Sequence, residues 1–222
     1  VQGRLIAGTA AIDTPVATST FTDSRQIVEG SVFVAIAGER VDGHDYVSKV
    51  GAQGAVAAIV DHEIDGAGVP QIVVEDTVLA LGALAKHNIE RRRALETPFT
   101  VIGITGSVGK TTTKDLMKAL LAHIGPTIAP VGSFNNEIGL PLTSLKVHAE
   151  TRFLVVEMGA NHAGEIANLT SLVPPDIAVV LKVGVAHLGE FGSPERIAQA
   201  KSEIIRGLVP GGLSVLNAND EH

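Results

Sequence analysis

Short runs of β-branched residues recur along the chain, each bounded by Gly, Pro or Asp. Stretches with apolar residues at three- and four-residue intervals lie between them. In the first 96 residues, "SVFVAI" (31–36), "AVAAIV" (55–60) and "QIVVE" (71–75) have the continuous apolar character of strands buried on both faces. "DYVSKVGAQG" (45–54) keeps helical spacing up to a glycine stop, and "DTVLALGALAKHNIERRRAL" (76–95) does so behind an Asp that predicts an N-cap. Pro98 in "ETPFT" ends that helix and predicts a domain boundary, with one domain over 1–97 and a second over 98–222. From 99 onward, "FTVIGIT", "RFLVVEM", "DIAVVLKV" and "LSVLNA" are four apolar runs joined by long helical or loop connections. Strands spaced in this way predict a parallel sheet with crossover helices, and the fold class is α/β throughout.

Composition narrows the function classes. An apolar fraction of 45% with 18% charged residues fits a soluble, folded chain, and 222 residues can bury a proper core. A net charge of -7 argues against nucleic-acid binding, which needs clustered Lys and Arg. The basic run Arg91-Arg92-Arg93 reads as the solvated end of a helix. With no cysteine, thiolate nucleophiles, disulfides and Cys metal sites are excluded. No apolar run reaches the roughly 18 residues of a membrane span, and the start lacks the pattern of a secretory signal, so a cytoplasmic location is expected. The chain begins at Val1 and stops shortly after an apparent strand, which is the pattern expected of a fragment.

Candidate chemistry begins at "VIGITGSVGKTTTKDLMKALLAHIG" (101–125), where an apolar strand breaks into glycines and continues as a helix. The usual phosphate-loop string has Gly five residues before the second Gly, and here that position is Ile104. What stands instead is Gly103-x-x-Gly106-x-x-Gly109-Lys110-Thr111. Glycines still supply the positive φ and close approach that let backbone N–H groups surround phosphate oxygens. Lys110 is placed to reach the β- and γ-phosphates, Thr111 to put its hydroxyl on Mg²⁺, and the helix N-terminus to add its dipole. A dinucleotide G-x-G-x-x-G spacing is absent.

In open parallel sheets ligands sit beyond the carboxyl ends of the strands. Glu157 ends "FLVVE" and reads as a direct or water-mediated Mg²⁺ ligand, against the alternative of a solvated or capping carboxylate. His187 follows "VVLKVGVA" at the same topological level, as a second ligand or as a satisfied core or surface histidine. Lys201, in "IAQAKSEI" (197–204), reads by spacing alone as a solvated lysine on an amphipathic helix.

Taken in order, "GITGSVGKTTTK", "FNNEIGLPLT", "VVEMGANHAGEI", "VGVAHLGEFGSPERIAQAKSEI" and "VLNAND" closely resemble the ATP-dependent Mur ligases. "EMGANHAGEI" is similar to the branch that adds a D-alanyl-D-alanine dipeptide. "TDSRQIVEGSVFVAIAGERVDGHDYV" (22–47) is similar to the nucleotide-sugar-binding domain of the same family. The resemblance implies a small α/β UDP-sugar-binding domain followed by an incomplete P-loop parallel-sheet ATPase domain, with the family's carboxy-terminal domain absent. It implies an acid–amino-acid ligase of peptidoglycan precursor synthesis. This enzyme joins D-Ala-D-Ala to UDP-MurNAc-tripeptide through an acyl phosphate, uses ATP and two Mg²⁺, and works as a monomer. Transferred position by position, it puts Gly106, Ser107, Gly109, Lys110, Thr111, Thr112, Asn135 and Asn136 at ATP. It puts Thr111, Glu157, His187 and Lys201 at the metals, with Lys201 carbamylated, and makes Lys110, Glu157, His187 and Lys201 the catalytic set. Asn161 and His162 are implied near the peptide, and Ser24, Arg25, Asp42 and His44 around the uridine diphosphate. Val108 stands where the family has a small polar residue, a change the backbone-mediated binding should tolerate.

Other readings remain at this point. One is a sister ligase for single amino acids or folylpolyglutamate. Another is a chain that binds UDP-sugar and ATP without catalysis. A regulatory GTPase is disfavoured because no Asn-Lys-x-Asp string is present.

Overall fold

The computed structural model describes residues 2–6, 19–184 and 188–221. Backbone proximity divides the chain after Leu84 into two compact units.

The first unit holds β1 (Arg4–Ile6), β2 (Thr20–Phe21), β3 (Val32–Val34), α1 (Val47–Ala52), β4 (Ala57–Val60), β5 (Gln71–Val73) and the start of α2 (Thr77–Arg93). Its sheet runs β1-β5-β4-β3-β2, parallel except for the antiparallel edge strand β1. The three β-branched runs read from the sequence are its three central strands. Phe33 of β3 packs with Val47 and Val50 of α1 and with Ala58 and Val60 of β4. After β2 and β3 the chain turns through single 3₁₀ segments, Ser24–Gln26 and Gly43–Tyr46. Each opens on an Asp, 23 or 42, whose carboxylate accepts a backbone N–H two residues on. Asp76 caps α2 as expected, with Oδ1 accepting from Val78 N at 2.7 Å and Leu79 N at 2.9 Å.

The second unit contains β6 (Thr100–Thr105), α3 (Lys110–Leu121), β7 (Thr127–Ile128), α4 (Gly139–Ser144), β8 (Phe153–Glu157), α5 (Glu165–Leu172), β9 (Ile177–Val180), α6 (Leu188–Phe191), α7 (Pro194–Arg206) and β10 (Leu213–Leu216). The sheet is parallel throughout, in the order β10-β9-β6-β8-β7. The period-2 alternation of β8 sorts its side chains by face. Leu154 and Val156 join Ile166 and Leu169 of α5 and Ile204 of α7 on one side. Val155 joins Ile102 and Ile104, against Met117 and Leu121 of α3, on the other. By the same alternation Glu157 falls on the α3 face. Gly103 of β6 is needed for packing: a Cβ there would stand 3.2 Å from Ile204 Cδ1 and 3.3 Å from Pro175 Cβ.

The end of α2 lies in this unit and corrects the reading of the basic run. Arg91 is exposed, but Arg92 is only 4% exposed. Its guanidinium donates to Thr151 O at 2.6 and 3.0 Å and to Pro98 O at 2.9 Å. Arg93 pairs with Asp176 at 2.8 Å. The planar five-donor fork lets Arg satisfy several loop carbonyls at once, which is why the helix end is buried there. Among the described residues no helix is long and apolar enough to cross a membrane.

Candidate active site

The turn between β6 and α3 is built from the glycines that the sequence singled out. Gly106 has φ 151° and Gly109 has φ 86°, backbone conformations that residues with a Cβ rarely adopt. Gly109 caps α3 in the left-handed region, and the free N–H groups of the first helical turn open beside it. Ser107 fixes the turn to the segment after β9. Its N donates to Lys182 O at 2.7 Å, its Oγ accepts from Gly184 N at 2.9 Å, and the same Oγ donates to Gly184 O at 3.3 Å. Lys110 Nζ donates to Gly106 O at 2.7 Å, so the lysine lies across the loop. Burial lowers its pKa, against the opposing pull of Glu157.

Thr111, one residue on, donates through Oγ1 to Glu157 Oε2 at 3.2 Å. Glu157 is fully buried, and its other oxygen, Oε1, has no hydrogen-bond partner. Burial raises its pKa, partly offset by the Thr111 bond and by Lys114 and Lys110. A carboxylate with one orphaned oxygen next to a threonine hydroxyl is an oxygen donor set suited to a hard divalent cation. These residues therefore fit Mg²⁺.

Lys201 occupies the inward stripe of α7 with Ile197, Ala200 and Ile204 and is only 2% exposed. It is not the solvated lysine that spacing alone suggested. Burial and the nearby Lys110 push its pKa down to about 8. An amine so depressed has a neutral fraction near physiological pH, the form that reacts with CO₂.

Asn135 and Asn136 stand at the same end of the sheet. Asn135 O accepts from Gly159 N at 2.9 Å, and a Cβ on Gly159 would stand 2.9 Å from Asn135 Cγ, so a larger residue there would require the Asn135 side chain to move. Asn136 Oδ1 accepts from Gly139 N at 2.9 Å, at the start of α4. A cavity of about 300 Å³ lies here, lined by Asn136, Glu137, Gly159, Gly164, Glu165 and Asn168 among others. Asn161 and His162 are exposed on the turn before α5, where Asn161 N donates to Glu165 Oε2 at 2.7 Å. Thr112 is exposed on α3. His187 lies outside the described residues.

Two acidic and basic side chains escaped the sequence reading. Lys114 is 1% exposed on α3, and Glu203 of α7 accepts from Gly164 N at 2.7 Å and Ala167 N at 3.0 Å at the start of α5. Both occupy inward helical positions, and that spacing was the available signal.

In the first unit the four expected residues fall into two groups. Ser24 is buried, while Arg25 is exposed and pairs with Asp23 at 2.7 Å, a bond that holds the Asp23 pKa at about 2. His44 is 4% exposed. Its Nδ1 bonds Asp42 Oδ1 at 2.6 Å and its Nε2 accepts from Asp61 N at 3.2 Å, which places the ring proton on Nδ1. The His44 bonds lower the Asp42 pKa. His44, Asp61 and His62 bring ligand-type atoms within 4.8 Å of one another. Because His44 spends both nitrogens and stacks on His62 at 4.6 Å, a hydrogen-bonded cluster accounts for the group.

Comparison with known proteins is consistent with both units. The family model described as Mur ligase middle domain matches residues 104–222, and that described as Mur ligase family, catalytic domain, matches 18–89. The UDP-N-acetylmuramoyl-tripeptide--D-alanyl-D-alanine ligase of Mycobacterium bovis is 46% identical over 217 residues, 89% of this chain and 42% of the relative. A crystal structure of MurF from Acinetobacter baumannii superposes with TM-score 0.83 at 42% identity, covering 91% of this chain and 44% of that one. The MurF ligase of Thermotoga maritima in complex with ADP gives TM-score 0.81 at 37% identity, covering 92% and 46%. The chain thus spans less than half the length of these relatives.

Proposed function

The chain belongs to the Mur ligase family, and on that premise we propose that it carries the ATP and UDP-sugar sites of the ligase that adds D-Ala-D-Ala to UDP-MurNAc-tripeptide. The observation that carries the reading is the Thr111–Glu157 pair with its orphaned Oε1, set beside a glycine turn at positive φ. The named relatives support the substrate assignment. Residues 1–97 are then the UDP-sugar domain and 98–222 the central ATP domain. The location is cytoplasmic.

A free carboxylate is a poor acylating agent, and transfer of the γ-phosphoryl group from ATP to the tripeptide carboxylate supplies a leaving group. The D-Ala-D-Ala amine then displaces phosphate to form the amide. The turn amides and Lys110 hold the phosphates and stabilise charge as it develops on them. Bound Mg²⁺ neutralises phosphate charge when present. Thr111 and Glu157 would hold one ion, and Lys201, once carbamylated, would hold a second together with His187. Asn135 and Asn136 line the ATP side, Asn161 and His162 the peptide side. Ser24, Arg25, Asp42 and His44 take the uridine diphosphate.

Calorimetry of the chain with Mg²⁺ and a non-hydrolysable ATP analogue, then with UDP-MurNAc-tripeptide, tests both sites. The expected result is saturable binding of each, with the nucleotide dependent on Mg²⁺ and lost in Lys110→Ala. Binding unaffected by that substitution refutes the assignment. A second reading, binding without ligation, is separated by measuring phosphate release on the same 222-residue chain.

A further inference from the structure

Lys114 lies four residues after Lys110, inside α3, with 1% of its side chain exposed. Its ammonium donates to Pro130 O at 2.9 Å and Gly132 O at 3.0 Å, and pairs with Asp115 Oδ1 at 2.9 Å. These partners use the three N–H groups an ammonium has. Glu157 Oε1, the orphaned oxygen, stands 3.8 Å away, so that contact is charge against charge rather than a hydrogen bond. Met117 and Leu121 pack inward from the same helix, and an apolar residue at 114 would fill the position without the cost of burying a charge. The presence of a lysine there calls for a positional reason.

The two carbonyls belong to the loop that runs to Asn135 and Asn136. That loop is closed at its far end by the bonds from Gly159 N to Asn135 O and from Gly139 N to Asn136 Oδ1. At its near end Lys114 fastens it to α3. One ammonium therefore joins three parts of the site: the helix after the glycine turn, the asparagine loop and the tip of β8.

We propose that Lys114 is a positioning residue of the nucleotide site, whose buried ammonium sets the place of the 130–136 loop and steadies the Glu157 carboxylate so that Oε2 faces Thr111. The Mg²⁺ half of this inference rests on the nucleotide reading above; the loop half rests on geometry alone. The test compares Lys114→Met with the parent chain by calorimetry with a non-hydrolysable ATP analogue, in Mg²⁺ and in EDTA, and by amide hydrogen exchange over 131–136. The expected variant melts cooperatively and exchanges faster across the loop. Its nucleotide affinity in EDTA is little changed, but the gain conferred by Mg²⁺ falls roughly 10–100-fold, the range found when groups supporting metal ligands are removed. A purely structural lysine would lower both affinities together. Parental exchange and parental Mg²⁺ dependence in a folded Lys114→Met overturn the proposal. If that variant does not fold, Lys114→Gln keeps amide donors for the two carbonyls but drops the charge. It should then show near-parental loop exchange with a reduced Mg²⁺ effect, and an unchanged Mg²⁺ effect overturns the proposal. If the parent chain binds no nucleotide at all, the nucleotide reading fails, and the exchange comparison alone decides for or against Lys114.

Discussion

Thr111 Oγ1 donates to Glu157 Oε2 at 3.2 Å, tying the first turn of α3 to the last residue of β8. The bond leaves a buried carboxylate poised for a cation at the expense of the ligand-free fold. Burial raises the Glu157 pKa, so between the ordinary carboxyl range and the raised value the folded chain holds a proton that the unfolded chain has released. This contribution is complete below the unfolded pKa and is lost as pH rises through the folded one. Glu157→Gln, which cannot ionise, should therefore melt above the parent at neutral pH in metal-free buffer. The gain is about 2–4 °C for each kcal/mol relieved. The gap should narrow toward pH 4, and Mg²⁺-dependent nucleotide binding should be lost. A variant that melts at or below the parent at pH 7 contradicts this account.

Lys201 gives the opposite sign. Its folded pKa of about 8 lies below the usual lysine value of 10.5, so the folded chain gives up its proton first. Stability tied to this group is present above pH 10.5 and is lost as pH falls through 8. Lys201→Met should be more stable than the parent at pH 7, with the difference shrinking from pH 8 upward in thermal melts. Incubation with ¹³C-bicarbonate should give a carbamate carbon signal in the parent that is absent from Lys201→Arg. No signal at any pH up to 9 would remove the carbamylation reading.

Gly109 holds φ 86° where α3 begins, and a Cβ there would meet only Leu181 Cδ1, at an ordinary 3.5 Å. Conformation rather than crowding thus penalises Gly109→Ala, by about 1–2 kcal/mol. Chemical denaturation should show that loss, and nucleotide binding should weaken with it.

Arg92 and Arg91 are neighbours with opposite expectations. Arg92→Met leaves the carbonyls of Thr151 and Pro98 without their donor and should cost about 3 kcal/mol. Arg91→Met, on an exposed site, should stay within about 0.5 kcal/mol. Urea midpoints of the two variants measure the contrast, and similar midpoints would refute it.

The parts of the fold that were legible in the sequence are those with enough residues to show a period. The apolar runs became β3, β4, β5, β6, β8, β9 and β10, and the glycine turn became the start of α3. The strands Arg4–Ile6, Thr20–Phe21 and Thr127–Ile128 are two or three residues long and hold their place by pairing with a neighbour, which no local pattern reports. In "GLPLTS" (139–144) a Gly and a Pro obscure the helical period, so no helix is read there, yet Pro141 falls in the first turn of α4, where its missing N–H costs nothing. In the site, Thr111 and Glu157 were read from their strand-and-turn context. Lys201, Lys114 and Arg92 were harder, because a charged residue on an inward helical stripe is assigned to solvent unless its partners are known. Those partners, from Thr151 O to Pro130 O and Gly132 O, are backbone atoms distant in sequence.

The reciprocal bonds between Ser107 and Gly184 make the glycine turn and the segment after β9 move as one piece. Replacing Ser107 with a residue that lacks a hydroxyl would remove both bonds to Gly184 and leave the turn held to that segment by the Ser107 N to Lys182 O bond. Because the Gly184 atoms in these bonds are backbone N and O, a change within residues 106–109 that shifts Ser107 is passed directly to the main chain after β9.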